Sequence, residues 1–311
     1  MAVEPASSAM SRIGILKTYK LYIGGTFPRS ESGRSIEVRN LGGDVFAHAC
    51  RASRKDLREA VEAASKVQGG WASATAYLRG QILYRMAEML EGKRAEFGNA
   101  AHDLYTGAWE RKTKSIALRE QGEQWDAEYR STLELDAAID RLVHYAGWTD
   151  KFQQVLGCAN PVAGPYYNFT IPEATGVVGV IAPDDWPLLG LVSLIAPPLC
   201  AGCTVVVLAS EPNPIPGAIF GEVCATSDVP PGVINVLTGL REELIPHFAS
   251  HRGINAIHAA NVSAAHATVL REGAAENLKR VVVRELPSGA GRRAGGWFDD
   301  ETCESPWWIE P

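Results

Sequence analysis

The chain has 311 residues, 46% of them hydrophobic and 21% charged, and a formal net charge of −6. This length buries a sizeable core and suits one large or two modest domains, and the acidic balance gives no reason to expect nucleic acid or an anionic membrane as a partner. No apolar run reaches the length of a membrane-spanning helix, because Pro197, Pro198 and polar residues interrupt the longest one. The opening MAVEPASSAMSR has no basic segment followed by an apolar one. It reads as a disordered lead over residues 1–18 with no secretory signal, and the cytoplasm is the expected compartment.

Residues 20–49 read as β-rich, with Leu21-Tyr22-Ile23 followed by Gly24-Gly25 and a strand at Ser35–Val38. Ser53 and Asp56 have the spacing of a capping box, which predicts a helix start. Leu57, Ala60, Val61, Ala64 and Val67 then recur at helical spacing. A second helix is predicted from about Ala76 to Leu90, with Ile82, Leu83, Met86, Ala87 and Leu90 on one side, and helical text continues through Ala95–Tyr105 and Lys112–Tyr145. Cys158 to Glu173 is rich in aromatic and β-branched residues and looks extended. An extended arm of this kind exposes strand edges and needs a partner.

The most informative run is Thr175 to Pro214. Gly176–Ala182 is an apolar strand, Pro183-Asp184-Asp185-Trp186-Pro187 a turn, Leu188–Leu199 a helix, and Thr204–Ala209 a second strand. Strand, helix and strand in this order read as a crossover in a parallel sheet, and two continuous apolar strands read as covered on both faces. Cys200 and Cys203 form a CxxC between that helix and strand. A redox pair or half of a zinc site would use this spacing. No second CxxC accompanies it, so buried structural thiols are expected. The six cysteines, which include Cys50, Cys158, Cys224 and Cys303, are too sparse for a disulfide framework. The alternation continues with a helix at Pro216–Thr226, a strand at Val233–Leu237 and a helix at Leu244–Ser250. A strand at Ala256–His258, a helix at Ala264–Ala275 and a strand at Val281–Val283 follow. The series predicts an α/β, doubly wound parallel sheet of Rossmann type, in which ligands bind beyond the carboxyl ends of the strands.

The text ATGVVGVIAPDDWPLL, AGCTVVVLASEPNP, VPPGVINVLTG, HYAGWTDK and LYIGGTFPRSESGRSIEVRN resembles the coenzyme-binding part of the NAD(P)-dependent aldehyde dehydrogenases over about residues 19–286. The resemblance implies an N-terminal β and helical part at 19–157 and a β-hairpin oligomerisation arm at 158–174. It further implies a Rossmann-type core at 175–286, followed by a divergent aromatic tail at 287–311 with Trp297, Phe298, Trp307 and Trp308. The tail reads either as a docking peptide or as a segment that packs back on the chain.

The departures from the family pattern fall on its working positions. The oxyanion-holding asparagine matches Asp185, which as a carboxylate cannot donate like an amide; a solvated turn or helix-capping aspartate is the alternative. The ribose-binding lysine matches Leu208, while the glutamate beyond it is kept as Glu211, either a remaining ribose acceptor or a loop residue. Asn261 and His266 take the places of two glycines that let backbone approach the phosphates. The catalytic glutamate matches Arg284, or Glu285 after a shift of one residue. The nucleophilic cysteine lies well beyond that point in the family, and Cys303, within ETCESP, matches neither its position nor its surroundings.

On this reading the catalytic domain is absent. The expected role is a non-catalytic subunit that associates with a full-length aldehyde dehydrogenase, with itself through the 158–174 arm, or both. It resembles the cysteine-free second half of two-part family members. No cofactor is expected, with NAD or NADP the weaker alternative. The rival reading is a site for NAD(P)-dependent aldehyde oxidation completed by a partner chain.

Overall fold

The computed structural model describes residues 15–40, 42–105, 127–275 and 277–285. The expectations for the lead up to residue 14, for Lys112 to residue 126, for Cys303 and for the aromatic tail lie outside these residues.

The chain opens with β1 (Thr18–Tyr19), β2 (Ser35–Arg39) and β3 (Val45–Cys50), a small sheet in the order β1-β3-β2. Strand β3 falls at the end of the 20–49 segment read as β-rich, where no separate strand was singled out. The capping box at Ser53 and Asp56 forms as expected and starts α1 (Arg54–Ser73). Helices α2 (Ala76–Gly92), α3 (Arg94–Tyr105) and α4 (Ala127–Trp148) follow, then the short α5 (Phe152–Leu156). The extended segment after it is a hairpin of β4 (Cys158–Ala159) and β5 (Phe169–Thr170), antiparallel and closed by the amide of Asn160 donating to Asn168 O at 2.7 Å.

The core is β6 (Val177–Ile181), α6 (Leu189–Cys200), β7 (Thr204–Leu208), α7 (Ile215–Ala225), β8 (Ile234–Leu237), α8 (Arg241–Ser250), β9 (Ala256–Ala260), α9 (Ala264–Ala274) and β10 (Arg280–Arg284). Its five strands form a parallel sheet in the order β10-β9-β6-β7-β8. The doubly wound fold is therefore present. Helix α8 begins at Arg241, a turn earlier than expected, and β9 runs two residues beyond His258.

Period-two alternation assigns the two faces. Val178, Val180, Val205 and Val207 pack with α2, α4, α6 and α7. Val177, Ile181, Val206 and Leu208 pack with α1, α8 and α9. Both faces are covered, which is why these strands read as unbroken apolar text. Tyr22 closes the outer edge of β8 by exchanging backbone hydrogen bonds of 2.9 and 2.8 Å with Val236. Cys200 and Cys203 are buried as expected, and burial pushes the Cys200 thiol up to about 12.

Candidate functional site

In sheets of this topology the crevice opens where the strand order reverses, here between β6 and β9, beyond their carboxyl ends. A crevice of about 700 Å³ lies there. Ile36, Pro212 and Leu240 give it apolar walls, and Asp184, Glu211, Arg241, Asn261, Ser263 and His266 line it with polar groups.

A single arginine joins two of these groups, Asp184 and Glu211. Arg241, the first residue of α8, is only 7% exposed. Its Nη1 donates to Asp184 Oδ2 at 2.5 Å, and its Nη2 donates to the carbonyl of Ala182 at the end of β6. Its backbone amide donates to Glu211 Oε2 at 2.7 Å. Buried Ser210 completes the set, its hydroxyl donating to Asp184 Oδ1 at 2.9 Å. The side chain and backbone amide of Arg241, with Ser210, thus tie the loop after β6, the loop after β7 and the start of α8.

The expected site residues divide between two places. Asp185 is half-buried and accepts from Asn261 Nδ2 at 3.1 Å, a bridge across the point where the strand order reverses. As a helix cap Asp185 is corrected: the first amides of α6, of Leu188 and Leu189, donate to Glu134 at 2.7 and 3.1 Å. Glu134 reaches them from α4, a long-range contact with no local signal. Asn261 has φ +49°, the left-handed backbone for which glycine is the ordinary choice. Leu208 is fully buried in the α1/α8 face and reaches no part of the crevice lining. Glu211 faces the crevice, but its carboxylate holds the amide of Arg241. His266, in the first turn of α9, lies 3.4 Å from Glu242 Oε2.

Arg284 and Glu285 stand at the end of the edge strand β10, off the crevice lining. Arg284 is half-buried, and its carbonyl accepts the amide of Asn261 at 2.9 Å. Burial lowers the pKa of its guanidinium, opposed by the nearby Tyr145. Glu285 is exposed.

Sequence reading missed Asp184, Ser210 and Arg241. Arg241 carried a signal. A cation in the first turn of a helix opposes the helix dipole, whereas Glu242 and Glu243 beside it have the favourable sign. An arginine at that position implies acceptors drawn from elsewhere.

The crevice is rich in acceptors, and the arginines on its lining already face carboxylates: Arg39 faces Glu37 and Arg241 faces Asp184. A pyrophosphate is itself a set of acceptors and needs donors and positive charge. The side chains present do not fit a dinucleotide.

A model of the aldehyde dehydrogenase family matches residues 27–288. Retinal dehydrogenase 2 of Gallus gallus is 31% identical over 272 residues, which cover 86% of this chain and 48% of that protein. Aldehyde dehydrogenase family 2 member B4, mitochondrial, of Arabidopsis thaliana is 27% identical, with 85% and 46% covered. Among solved structures, an NAD+ complex of an aldehyde dehydrogenase from Bacillus cereus superposes with a TM-score of 0.75 at 25% identity, covering 86% of this chain and 51% of the other. The chain spans about half the length of the curated relatives it matches.

Proposed function

The chain belongs to the aldehyde dehydrogenase family, and on that premise we propose that it is a non-catalytic member that associates with a full-length aldehyde dehydrogenase in a structural or regulatory role. The observation that carries this reading is the crevice. Where a dinucleotide needs donors, Asp184 and Glu211 present acceptors, already joined to Arg241. The position that matches the ribose lysine, Leu208, is buried hydrocarbon. No step of aldehyde oxidation is assigned to Arg284 or Glu285, and the chain works without NAD or NADP.

The hairpin supports the association. Tyr166, Tyr167 and Ile171 are 75%, 81% and 60% exposed. Large apolar side chains on a two-stranded hairpin, which is marginal by itself, favour a partner that covers them. A full-length aldehyde dehydrogenase, whose own strands can extend this ribbon, is the partner in this reading. Among the described residues no helix is long and apolar enough to cross a membrane.

Sedimentation velocity tests the reading. The chain mixed with a full-length aldehyde dehydrogenase from the same organism should form a heavier species that contains both. The double substitution Tyr167→Ser and Ile171→Ser should abolish that species while leaving the chain folded. Independent sedimentation of the two proteins at micromolar concentration would sink the proposal.

A further inference from the structure

The crevice at the carboxyl end of the sheet is spanned by the chain's own side chains. Arg241 enters from α8 beneath Asp184, its side chain 9% exposed while that of Asp184 is 39% exposed at the mouth. The guanidinium reaches a carboxylate and the Ala182 carbonyl at once, and Ser210 orients the carboxylate. Across the reversal point Asn261 holds Asp185. The turn after β6 is therefore fastened on one side to β7 and α8 and on the other to β9.

We propose that Arg241 is an internal occupant of one wall of this crevice: a guanidinium supplied by the fold, seated among converging acceptors, that fastens the loop after β6 to the start of α8. The planar fork suits the two acceptors in a way that a single ammonium does not. The position of Arg241 at the unfavourable end of the helix dipole fits a residue kept for its acceptors and not for its helix. The sign of the site follows. A crevice that in a dinucleotide-binding sheet presents donors to phosphate here presents acceptors to a cation. The inference concerns the crevice alone and stands whether or not the chain binds a second dehydrogenase.

The experiment is chemical rescue. Arg241→Ala leaves Asp184 and the Ala182 carbonyl facing an empty space of guanidinium shape. Its Tm should fall by roughly 5 °C, a partly buried pair being worth less than a fully buried one. Ethylguanidinium at about 20 mM should then restore at least about half of that loss by mass action, and ethylammonium at the same concentration should not. Wild-type protein, whose site is filled, should gain nothing from either cation. An unchanged Tm in Arg241→Ala, or equal effects of the two cations on it, would overturn the proposal.

Should Arg241→Ala fail to fold, Asp184→Asn loosens the same contact without opening a cavity. Amide hydrogen exchange in residues 182–188 and 209–214 should then accelerate roughly tenfold while that in β7 is unchanged. Exchange in those loops identical to wild type would also overturn it. Neither measurement involves the dehydrogenase partner, so a negative result here leaves the sedimentation experiment to decide the partner reading by itself.

Discussion

Helix α8 runs between two regions that obey different rules. At its start Arg241 binds three polar partners in the crevice; near its end Phe248 is fully buried against the sheet. The sheet interior keeps the family's apolar text, whereas the crevice, in the reading proposed above, has exchanged the family's working residues. The difference is physical. The interior is specified by volume and apolarity, and many small contacts share the load. A binding crevice is specified by a few donors at fixed places, so replacing two or three of them ends one chemistry and leaves the scaffold standing.

The largest effect should come from the interior. A Cβ added to Gly179, in the middle of β6, would meet Phe248 Cδ1 at 2.9 Å, so the strand gives up a side chain to seat this ring. Phe248→Ala should cost about 3–5 kcal/mol in urea unfolding. Arg241→Ala should cost clearly less, because its carboxylate partner is open to solvent. If the two substitutions cost the same, the contrast between interior and crevice is lost.

Among the polar side chains buried in the interior, a histidine gives the next largest effect. His258, in β9, is 1% exposed and bonds Leu194 O through Nδ1 at 3.1 Å. Leu194 lies four residues before Pro198 inside α6, so its carbonyl lacks the helical N–H that any other residue would supply. The histidine replaces that donor, which fixes the proton on Nδ1. Burial, aided by the charge of Arg284, holds its pKa well below the ordinary 6.5. The unfolded chain therefore takes up a proton near that value while the folded chain does not. Stability from this group is complete above pH 6.5 and is lost as pH falls from there toward the folded pKa, by at most about 1.4 kcal/mol per pH unit. His258→Phe should abolish this part of the pH dependence and, at pH 8, cost about 1–3 kcal/mol by leaving the Leu194 carbonyl unmet. An unchanged slope between pH 6.5 and 5 would show that the ring titrates normally.

The same division explains what could be read from sequence. The strands β6 and β7, the capping box at Ser53 and the alternation up to β10 were legible because each is set by local pattern, alternation or a short-range cap. The partners of the crevice residues were not. Arg241 meets Asp184 from 57 residues away in sequence and Glu134 meets Leu188 from 54, and no periodicity encodes such pairs. Hence Asp185 looked like a helix cap when Glu134 fills that role. Strand β3 was not resolved from the β-rich text around it because VFAHAC mixes small and polar residues and does not alternate cleanly.

The smallest effect is the sharpest test, because its sign should reverse between the two regions. Asn261 holds a left-handed backbone at φ +49° and donates to Asp185. Asn261→Gly loses that hydrogen bond but removes the backbone strain, so the two changes, each about 1 kcal/mol, should nearly cancel. Asn261→Ala loses the bond and keeps a side chain where the backbone disfavours one, so it should be less stable than the glycine variant by about 1 kcal/mol. At Val180, fully buried inside β6, the same two substitutions should rank in the opposite order, glycine below alanine by about 0.5–1 kcal/mol, since an extended strand gains nothing from glycine's freedom and loses a methyl group's packing. Thermal unfolding of the four variants at neutral pH measures both rankings. Alanine above glycine at residue 261 would mean that the β9 turn relaxes out of the left-handed region, and that the bridge to Asp185, not the scaffold beneath it, sets the conformation of the crevice.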